Sequence, residues 1–270
     1  MAEWALHCFK AYDIRGIAYS ELDSAFANRL GQALATFLDC SALAIGRDIR
    51  ESSPELHGAF VQGLTSSGVD VHDLGICTTG ALYHATSVLE VDGGVMITAS
   101  HNPPEYNGFK MCRGTAAMAG EEIQNLRKTF ESGEFQTAGV LGEHILLNDF
   151  TNHHLEAIIE AAGKISRPVH VVIDAANAVP GPFLTELKQR IDAKGMNIYC
   201  DWDNSFPNHP PDPTRPKNMV DLAKAVIESG AEFGIGVDGD GDRIGVVDEK
   251  GRFIHPDRLL AVFAADILSQ

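Results

Sequence analysis

Apolar segments of strand length alternate with segments of helical periodicity, and this alternation occurs twice along the chain. In the first half, residues 21–38 place Leu22, Phe26 and Leu30 on one face of a predicted helix. A strand over 42–45, a helix from a Ser53 cap to Gly68 and further strands over 69–74 and 94–98 follow. Strands that alternate with helices form sheets covered by helices, so this order predicts an α/β fold.

The second half repeats the pattern as a βαβαβ unit. Its predicted strands are 170–173, 196–200 and 233–237, and its predicted helices are 183–191 and 219–227. Residues 133–148 have no sustained apolar period and indicate a boundary. We therefore predict two tandem α/β/α three-layer domains with mixed, largely parallel sheets. Their expected limits are 1–145 and 146–256, with 257–270 as the start of a helix toward a further domain.

Charge and composition exclude several classes of partner. The formal net charge of -16 opposes binding to nucleic acid or to anionic membrane surfaces. No run of about 18 apolar residues and no leader segment is visible, and the five cysteines are scattered. We expect a cytoplasmic protein with reduced cysteines, without nucleic-acid or membrane partners. Nothing in the sequence indicates an oligomeric state.

The segment VDGDGDR places Asp238, Asp240 and Asp242 at alternate positions directly after an apolar strand. Three close carboxylates repel one another unless a cation neutralises them, and oxygen-only ligands favour magnesium, calcium or manganese. An EF-hand loop conflicts with Arg243 at the position that needs glycine. A phosphatase with Asp238 as nucleophile and a solvated acidic turn are the other interpretations that remain open.

The segment TASHNP brings the hydroxyl of Ser100 next to His101, where Asn102 and Pro103 turn the chain. A serine hydroxyl is a poor nucleophile unless a neighbouring group activates it. By itself, this segment is more typical of an ordinary exit from a strand than of a functional site.

Three segments occur in order: KAYDIRG at 10–16, TASHNPPEYNGFK at 98–110 and VDGDGDR at 237–243. Together they closely resemble the α-D-phosphohexomutase family, and the first two resemble its phosphomannomutase/phosphoglucomutase branch. FPNHPPDPT at 206–214 is similar to a further segment of that family. A phosphoglucosamine mutase remains an alternative.

This resemblance implies that Ser100 is carried as phosphoserine and that one Mg²⁺ per active site is held by the Ser100 phosphate with the three aspartates. It also implies a role for five other side chains. These are Lys110 as general acid or base, Arg15 and Arg243 as stabilisers of phosphate charge, His101 as a proton relay, and Tyr12 together with Arg15 in substrate binding.

The implied reaction is a reversible transfer of a phosphoryl group between C1 and C6 of a hexose phosphate, through phosphoserine and a bisphosphate intermediate. Such an enzyme is an isomerase, an intramolecular phosphotransferase, with glucose or mannose 1,6-bisphosphate as activator. The loops that read the sugar lie in domains III and IV of the family, so we expect little turnover from this chain alone and no indication of sugar preference. The alternative is a non-catalytic metal-binding or partner-binding module.

Other conspicuous residues receive a structural interpretation. His153 and His154 are expected at the surface, and Arg47 and Arg50 in solvated ion pairs. In DAANAVPG, Ala176 and Ala178 stand where the family usually has glycines, which suggests altered backbone geometry.

Overall fold

The computed structural model describes residues 4–163 and 165–269. The chain forms two compact units. The first contains the residues up to Ala99 together with Pro103–His154, and the second contains Ser100–Asn102 and the residues from Leu155 onward. The domain limits at residues 145 and 146 remain a prediction.

The first unit contains one 3₁₀ helix, five α-helices and seven strands within the described residues. In chain order, a 3₁₀ helix at Leu6–Cys8 is followed by β1 (Ile14–Ile17), α1 (Ser24–Leu38), β2 (Ala42–Arg47), α2 (Ser53–Ser66), β3 (Asp70–Ile76), α3 (Thr79–Val88), β4 (Gly93–Ile97), β5 (Tyr106–Arg113), β6 (Ala116–Ala117), α4 (Glu121–Ser132), β7 (His144–Leu146) and α5 (Phe150–Ala162), whose second half belongs to the other unit.

The sheet of the first unit has the strand order β1-β5-β4-β2-β3-β7, with β6 paired to β5. The strands β4, β2, β3 and β7 run parallel, whereas β5 is antiparallel to both β4 and β1. The strand β5 and its register were not predicted, because NPPEYNGFK was interpreted as a motif and not as a strand.

Local chemistry explains where the first two helices begin. The side chain of Asp23 accepts a 2.7 Å hydrogen bond from the amide of Phe26, so Asp23 caps α1. The predicted apolar face of α1 is buried in the core through Phe26, Leu30 and Leu34. The predicted Ser53 cap of α2 was wrong: the helix begins at Ser53 itself, whose hydroxyl donates to Asp48.

The second unit contains one 3₁₀ helix, three further α-helices and five strands within the described residues. They are β8 (Val171–Asp174), α6 (Pro180–Arg190), β9 (Asn197–Ile198), a 3₁₀ helix at Pro216–Met219, α7 (Val220–Ser229), β10 (Phe233–Val237), β11 (Ile244–Asp248), β12 (Phe253–Ile254) and α8 (Pro256–Leu268).

The second sheet has the order β12-β11-β10-β8-β9, with parallel pairs at β10/β8 and β8/β9 and antiparallel pairs on the other side. The predicted strand over 196–200 is shortened to β9, and the next residue, Tyr199, has a left-handed φ of 51° that an extended strand does not allow. The α/β class with mixed sheets is confirmed by both units. None of the described helices combines the length and the hydropathy required to cross a bilayer.

Candidate active site

Ser100 lies three residues after β4, in a turn that the second unit includes. Its φ of 53° is left-handed, and only 1% of its surface is exposed. A left-handed conformation costs roughly 1–2 kcal/mol for a residue other than glycine, and such strain clusters at functional sites. The backbone at Ser100 is therefore held in a costly conformation.

The Ser100 hydroxyl contacts Asp238 and His101. Its Oγ donates a 2.7 Å hydrogen bond to Oδ2 of Asp238, and it lies 3.2 Å from Nδ1 of His101. Asp238 is 138 residues away in sequence, so the fold brings together the two segments that the sequence singled out.

The acidic segment forms the turn between β10 and β11. Oδ1 of Asp238 accepts hydrogen bonds of 3.0 Å from the amides of Asp242 and of Arg243. Gly241 has a φ of 77°, which glycine adopts without strain and which lets the turn close on that carboxylate. The side chain of Arg243 extends to the solvent side, with its Nε 3.9 Å from Asp242.

Gly239 serves a different purpose from Gly241. A Cβ at position 239 would lie 2.1 Å from the carbonyl oxygen of Ser100, so the acidic turn approaches the serine backbone through a residue without a side chain. The alternation of aspartate and glycine thus reflects two separate steric requirements, a close approach and a positive φ.

The three aspartates offer carboxylate oxygens that lie within 4.8 Å of one another. Asp238 and Asp240 are fully buried, whereas Asp242 is exposed. Burial, followed by the charges of Asp240 and Asp242, raises the pKa of Asp238 well above its ordinary value. An oxygen-only donor set with excess negative charge fits a hard divalent cation, which would neutralise the repulsion. These residues could therefore hold a metal ion.

Asp212, in the proline-rich segment, is a neighbour of this site that the sequence analysis did not identify. Its carboxylate accepts hydrogen bonds from Thr214 and Arg215, and these bonds outweigh the effect of burial and lower its pKa. The charge of His101 contributes in the same direction, so the two side chains interact. The sequence feature that could have identified Asp212 is an acidic side chain in a loop whose prolines exclude helix and central strand.

The remaining predicted residues lie in the first unit. Arg15 in β1 is paired with Gly108, and Lys110 in β5 is paired with Met96, so Arg15 and Lys110 are diagonal neighbours on one face of the sheet. Arg15 forms an ion pair with Asp13. Tyr12 is 79% exposed.

Arg50 is not the solvated residue that was predicted. It is 1% exposed, and its guanidinium donates to Asp48 at 3.0 Å and to the carbonyls of Pro103 and Tyr106 at 2.6 and 3.1 Å. Burial with a carboxylate partner explains the difference, because a buried guanidinium is stable only when it is paired. Arg50 fixes the segment that follows the Ser100 turn.

Comparisons with known sequences agree with this geometry. The family description Phosphoglucomutase/phosphomannomutase, alpha/beta/alpha domain I matches residues 7–137, and the description of alpha/beta/alpha domain II of the same family matches residues 148–251. The phosphoglucomutase of Neisseria meningitidis serogroup B is 43% identical over 274 residues, which cover 100% of this chain and 59% of that protein.

Two further relatives have related names and also match nearly the whole of this chain. The phosphomannomutase/phosphoglucomutase of Pseudomonas aeruginosa is 40% identical over 97% of this chain and 56% of that protein. The crystal structure of a phosphoglucomutase/phosphomannomutase family protein from Burkholderia thailandensis superposes with a TM-score of 0.94 at 39% identity, over 99% of this chain and 60% of that one. The chain thus spans less than two thirds of the length of each relative.

The two matched domains define a class of protein built from tandem α/β/α layers, as the alternation of strands and helices predicted. The chain belongs to the α-D-phosphohexomutase family and contains its domains I and II. Both the fold class and the family inferred from the sequence motifs are confirmed.

Proposed function

We propose that this chain is part of a phosphohexomutase that moves a phosphoryl group reversibly between C1 and C6 of a hexose phosphate, with Ser100 as the carrier. The observation that carries the proposal is the 2.7 Å hydrogen bond between the Ser100 hydroxyl and Asp238 in a turn with two further aspartates. The names of the relatives, phosphoglucomutase and phosphomannomutase/phosphoglucomutase, support the same reaction.

In the proposed reaction, the bond between Oγ of phosphorylated Ser100 and phosphorus breaks while a sugar hydroxyl forms a new bond to the same phosphorus. The proton of that hydroxyl passes to Lys110, which we propose as the general base in this direction and the general acid in the reverse one. The second phosphate of the resulting bisphosphate then returns to Ser100, which leaves the isomeric hexose phosphate. Glucose or mannose 1,6-bisphosphate would supply the phosphoryl group that charges Ser100.

The aspartates are proposed to hold one Mg²⁺ through Asp238, Asp240 and Asp242. When bound, this ion supplies positive charge that offsets the charge of the transferring phosphoryl group. Asp238 also orients the hydroxyl of unphosphorylated Ser100 by accepting its hydrogen bond.

Four other side chains complete the proposal. His101 lies 3.2 Å from Oγ of Ser100 and is suited to relay a proton at that atom. Arg243, with 43% of its side chain exposed beside Asp242, can reach an incoming phosphate. Arg15 is proposed to stabilise phosphate charge, and Tyr12 to contact the sugar phosphate with it.

The proposal concerns a small anionic substrate, and the net charge of -16 gives no support for nucleic acid or anionic membranes as partners. All five cysteines lie in the described residues and are free thiols, which supports a reducing compartment such as the cytoplasm.

The test is to incubate the purified protein with glucose 1,6-bisphosphate and Mg²⁺ and to locate the phosphoryl group by peptide mass spectrometry. We expect one phosphoryl group on Ser100, none in Ser100→Ala, and normal labelling in Ser67→Ala, a control at another buried serine. Labelling of a different residue, or equal labelling of the Ser100→Ala variant, would overturn the assignment of the carrier.

A further inference from the structure

Three side chains with different ligand atoms meet beside β1 in the first unit. Nε2 of His7 lies 2.8 Å from Oε1 of Glu21, and Sγ of Cys8 lies 3.9 Å from Nε2 of His7 and 4.0 Å from Oε2 of Glu21. Apart from the aspartate triad, this is the one group of the described residues that offers three converging nitrogen, sulfur or oxygen ligands.

The backbone of Gly16 packs closely against these ligand atoms. A Cβ at Gly16 would lie 2.5 Å from Sγ of Cys8 and 2.9 Å from Oε2 of Glu21. Only glycine therefore lets β1 pass this close to the sulfur and the carboxylate, and these contacts keep the two side chains beside the strand. The backbone amide of Ile17 donates a 2.7 Å hydrogen bond to Oε2 of Glu21 and holds the carboxylate at this position.

The three side chains differ in solvent exposure, so a metal ion could approach the group from its exposed side. The side chain of His7 is 62% exposed and that of Glu21 is 28% exposed, whereas Cys8 is fully buried. An ion arriving from solvent would meet the imidazole and the carboxylate first and the sulfur last.

We propose that His7, Cys8 and Glu21 form a binding site for a borderline-soft divalent metal ion, zinc above all. A thiolate, a neutral imidazole and a carboxylate are the side chains that zinc uses, and three protein ligands leave its fourth position for water. The ligand atoms lie 2.8–4.0 Å apart, so small side-chain shifts would place them around a tetrahedral ion with bonds of about 2.0–2.3 Å. Thiolate and carboxylate together carry two negative charges, so the divalent ion makes the site neutral.

Metal binding releases one proton from the thiol of Cys8. Burial and then the charge of Glu21 raise the pKa of Cys8 to about 11, so the free thiol keeps its proton at neutral pH. When the metal–sulfur bond forms, the sulfur–hydrogen bond breaks and the proton passes to solvent. No oxidant or reductant takes part.

The consequence for the fold is a link between two segments that flank β1. His7 and Cys8 lie in the 3₁₀ helix before the strand, and Glu21 lies after it. A bound ion would join these segments directly. This inference does not depend on the proposed function, because none of its three residues has a role in that reaction.

The test is a titration of the purified protein with Co²⁺, followed by absorption spectroscopy. Excess Mg²⁺ is present throughout to occupy the aspartate triad. We expect one Co²⁺ per chain with a sulfur-to-cobalt charge-transfer band in the near ultraviolet, which added Zn²⁺ abolishes by displacement. The aspartates contain no sulfur and cannot produce this band, and Asp240→Asn should retain it.

Variants identify the ligands. His7→Ala changes an exposed side chain, leaves the core intact, and should weaken Co²⁺ binding more than about tenfold, since even the loss of a group that only supports a metal ligand costs 10–100-fold. Cys8→Ser should remove the band, whereas Cys112→Ser, at a buried cysteine whose sulfur contacts the carbonyl of Gly94, should not. A wild-type protein without the band, or a band of unchanged affinity in His7→Ala, would overturn the proposal.

Discussion

Gly239 approaches the carbonyl oxygen of Ser100 so closely that a Cβ at position 239 would lie 2.1 Å from that oxygen. Gly239→Ala therefore forces the acidic turn away from the serine, because the obstructing atom belongs to the backbone and cannot rotate aside. We expect a loss of about 1–3 kcal/mol in the free energy of unfolding, as for other overpacked substitutions. Phosphorylation of Ser100 by glucose 1,6-bisphosphate, measured by mass spectrometry, should fall at least tenfold.

The matched control for this substitution is Gly58→Ala. Gly58 lies in α2, and a Cβ there would meet no atom within 4 Å. Since alanine favours a helix by roughly 1 kcal/mol over glycine, this variant should be slightly more stable and equally phosphorylated. Normal labelling of Gly239→Ala would contradict the importance of the close approach.

Mg²⁺ should stabilise the protein through the three aspartates. A ligand that binds only the folded state adds about 2.7 kcal/mol at a concentration of 100 times its Kd. Asp240→Asn removes one buried carboxylate of the triad, so we expect the Mg²⁺-dependent rise in Tm to disappear in this variant. Without Mg²⁺ the variant should be at least as stable as the wild type, because one source of repulsion is removed.

Differential scanning calorimetry with and without Mg²⁺ measures both effects. Asp203→Asn is the control, because Asp203 is exposed and outside the triad. It should keep the full response to Mg²⁺. An unchanged response in Asp240→Asn would exclude Asp240 as a ligand.

Stability should depend on pH through His154, which is not at the surface as predicted but only 9% exposed. Burial, followed by the charges of His84 and His153, lowers the pKa of His154 to about 4. The unfolded state binds a proton near pH 6.5 and the folded state only near pH 4. The free energy of unfolding is therefore at its full value above pH 6.5 and falls as the pH decreases toward 4, by up to about 3 kcal/mol.

Urea unfolding at a series of pH values between 4 and 7 checks this dependence. His154→Gln, which cannot take up a proton, should have a shallower slope in that interval. His255→Gln should keep the wild-type slope, because His255 is an exposed residue in the second unit. Equal slopes for the wild type and His154→Gln would show that another group is responsible.

Ala176 has a left-handed φ of 47°, a conformation that glycine adopts more readily. Ala176→Gly should relieve about 1–2 kcal/mol of strain, offset in part by the greater entropy of glycine in the unfolded chain. We expect a net gain of roughly 0.5–1 kcal/mol in chemical denaturation. Ala178→Gly provides the contrast, since Ala178 is buried without a positive φ and its replacement should destabilise. Destabilisation by both changes would disprove strain at position 176.

The parts of the fold that sequence reasoning predicted are those determined by local pattern. The 3.6-residue period that includes Phe26 and Leu30 defined α1, and the apolar run before Asp238 defined β10. The spacing of the three aspartates was also informative, because alternate residues of one tight turn can converge without help from the rest of the chain.

The parts that were missed depend on packing between distant segments. The burial of Arg50 follows from carbonyls more than fifty positions away, at Pro103 and Tyr106, and a charged pair in GRDIR has no local sign of this. His154 is buried by its contact with His84, whose Nδ1 lies 3.2 Å from its own. Neither contact produces a periodic pattern in the sequence from which it could be predicted.

The three residues Ser100–Asn102 belong to the second unit, although the strands before and after them belong to the first. The second unit is therefore assembled from two separate stretches of polypeptide. A recombinant fragment that starts at Leu155 would retain every aspartate of the acidic turn but lack the hydroxyl that donates to Asp238. Any attempt to isolate this unit as an independent module must supply that tripeptide, for example by grafting it through a new linker.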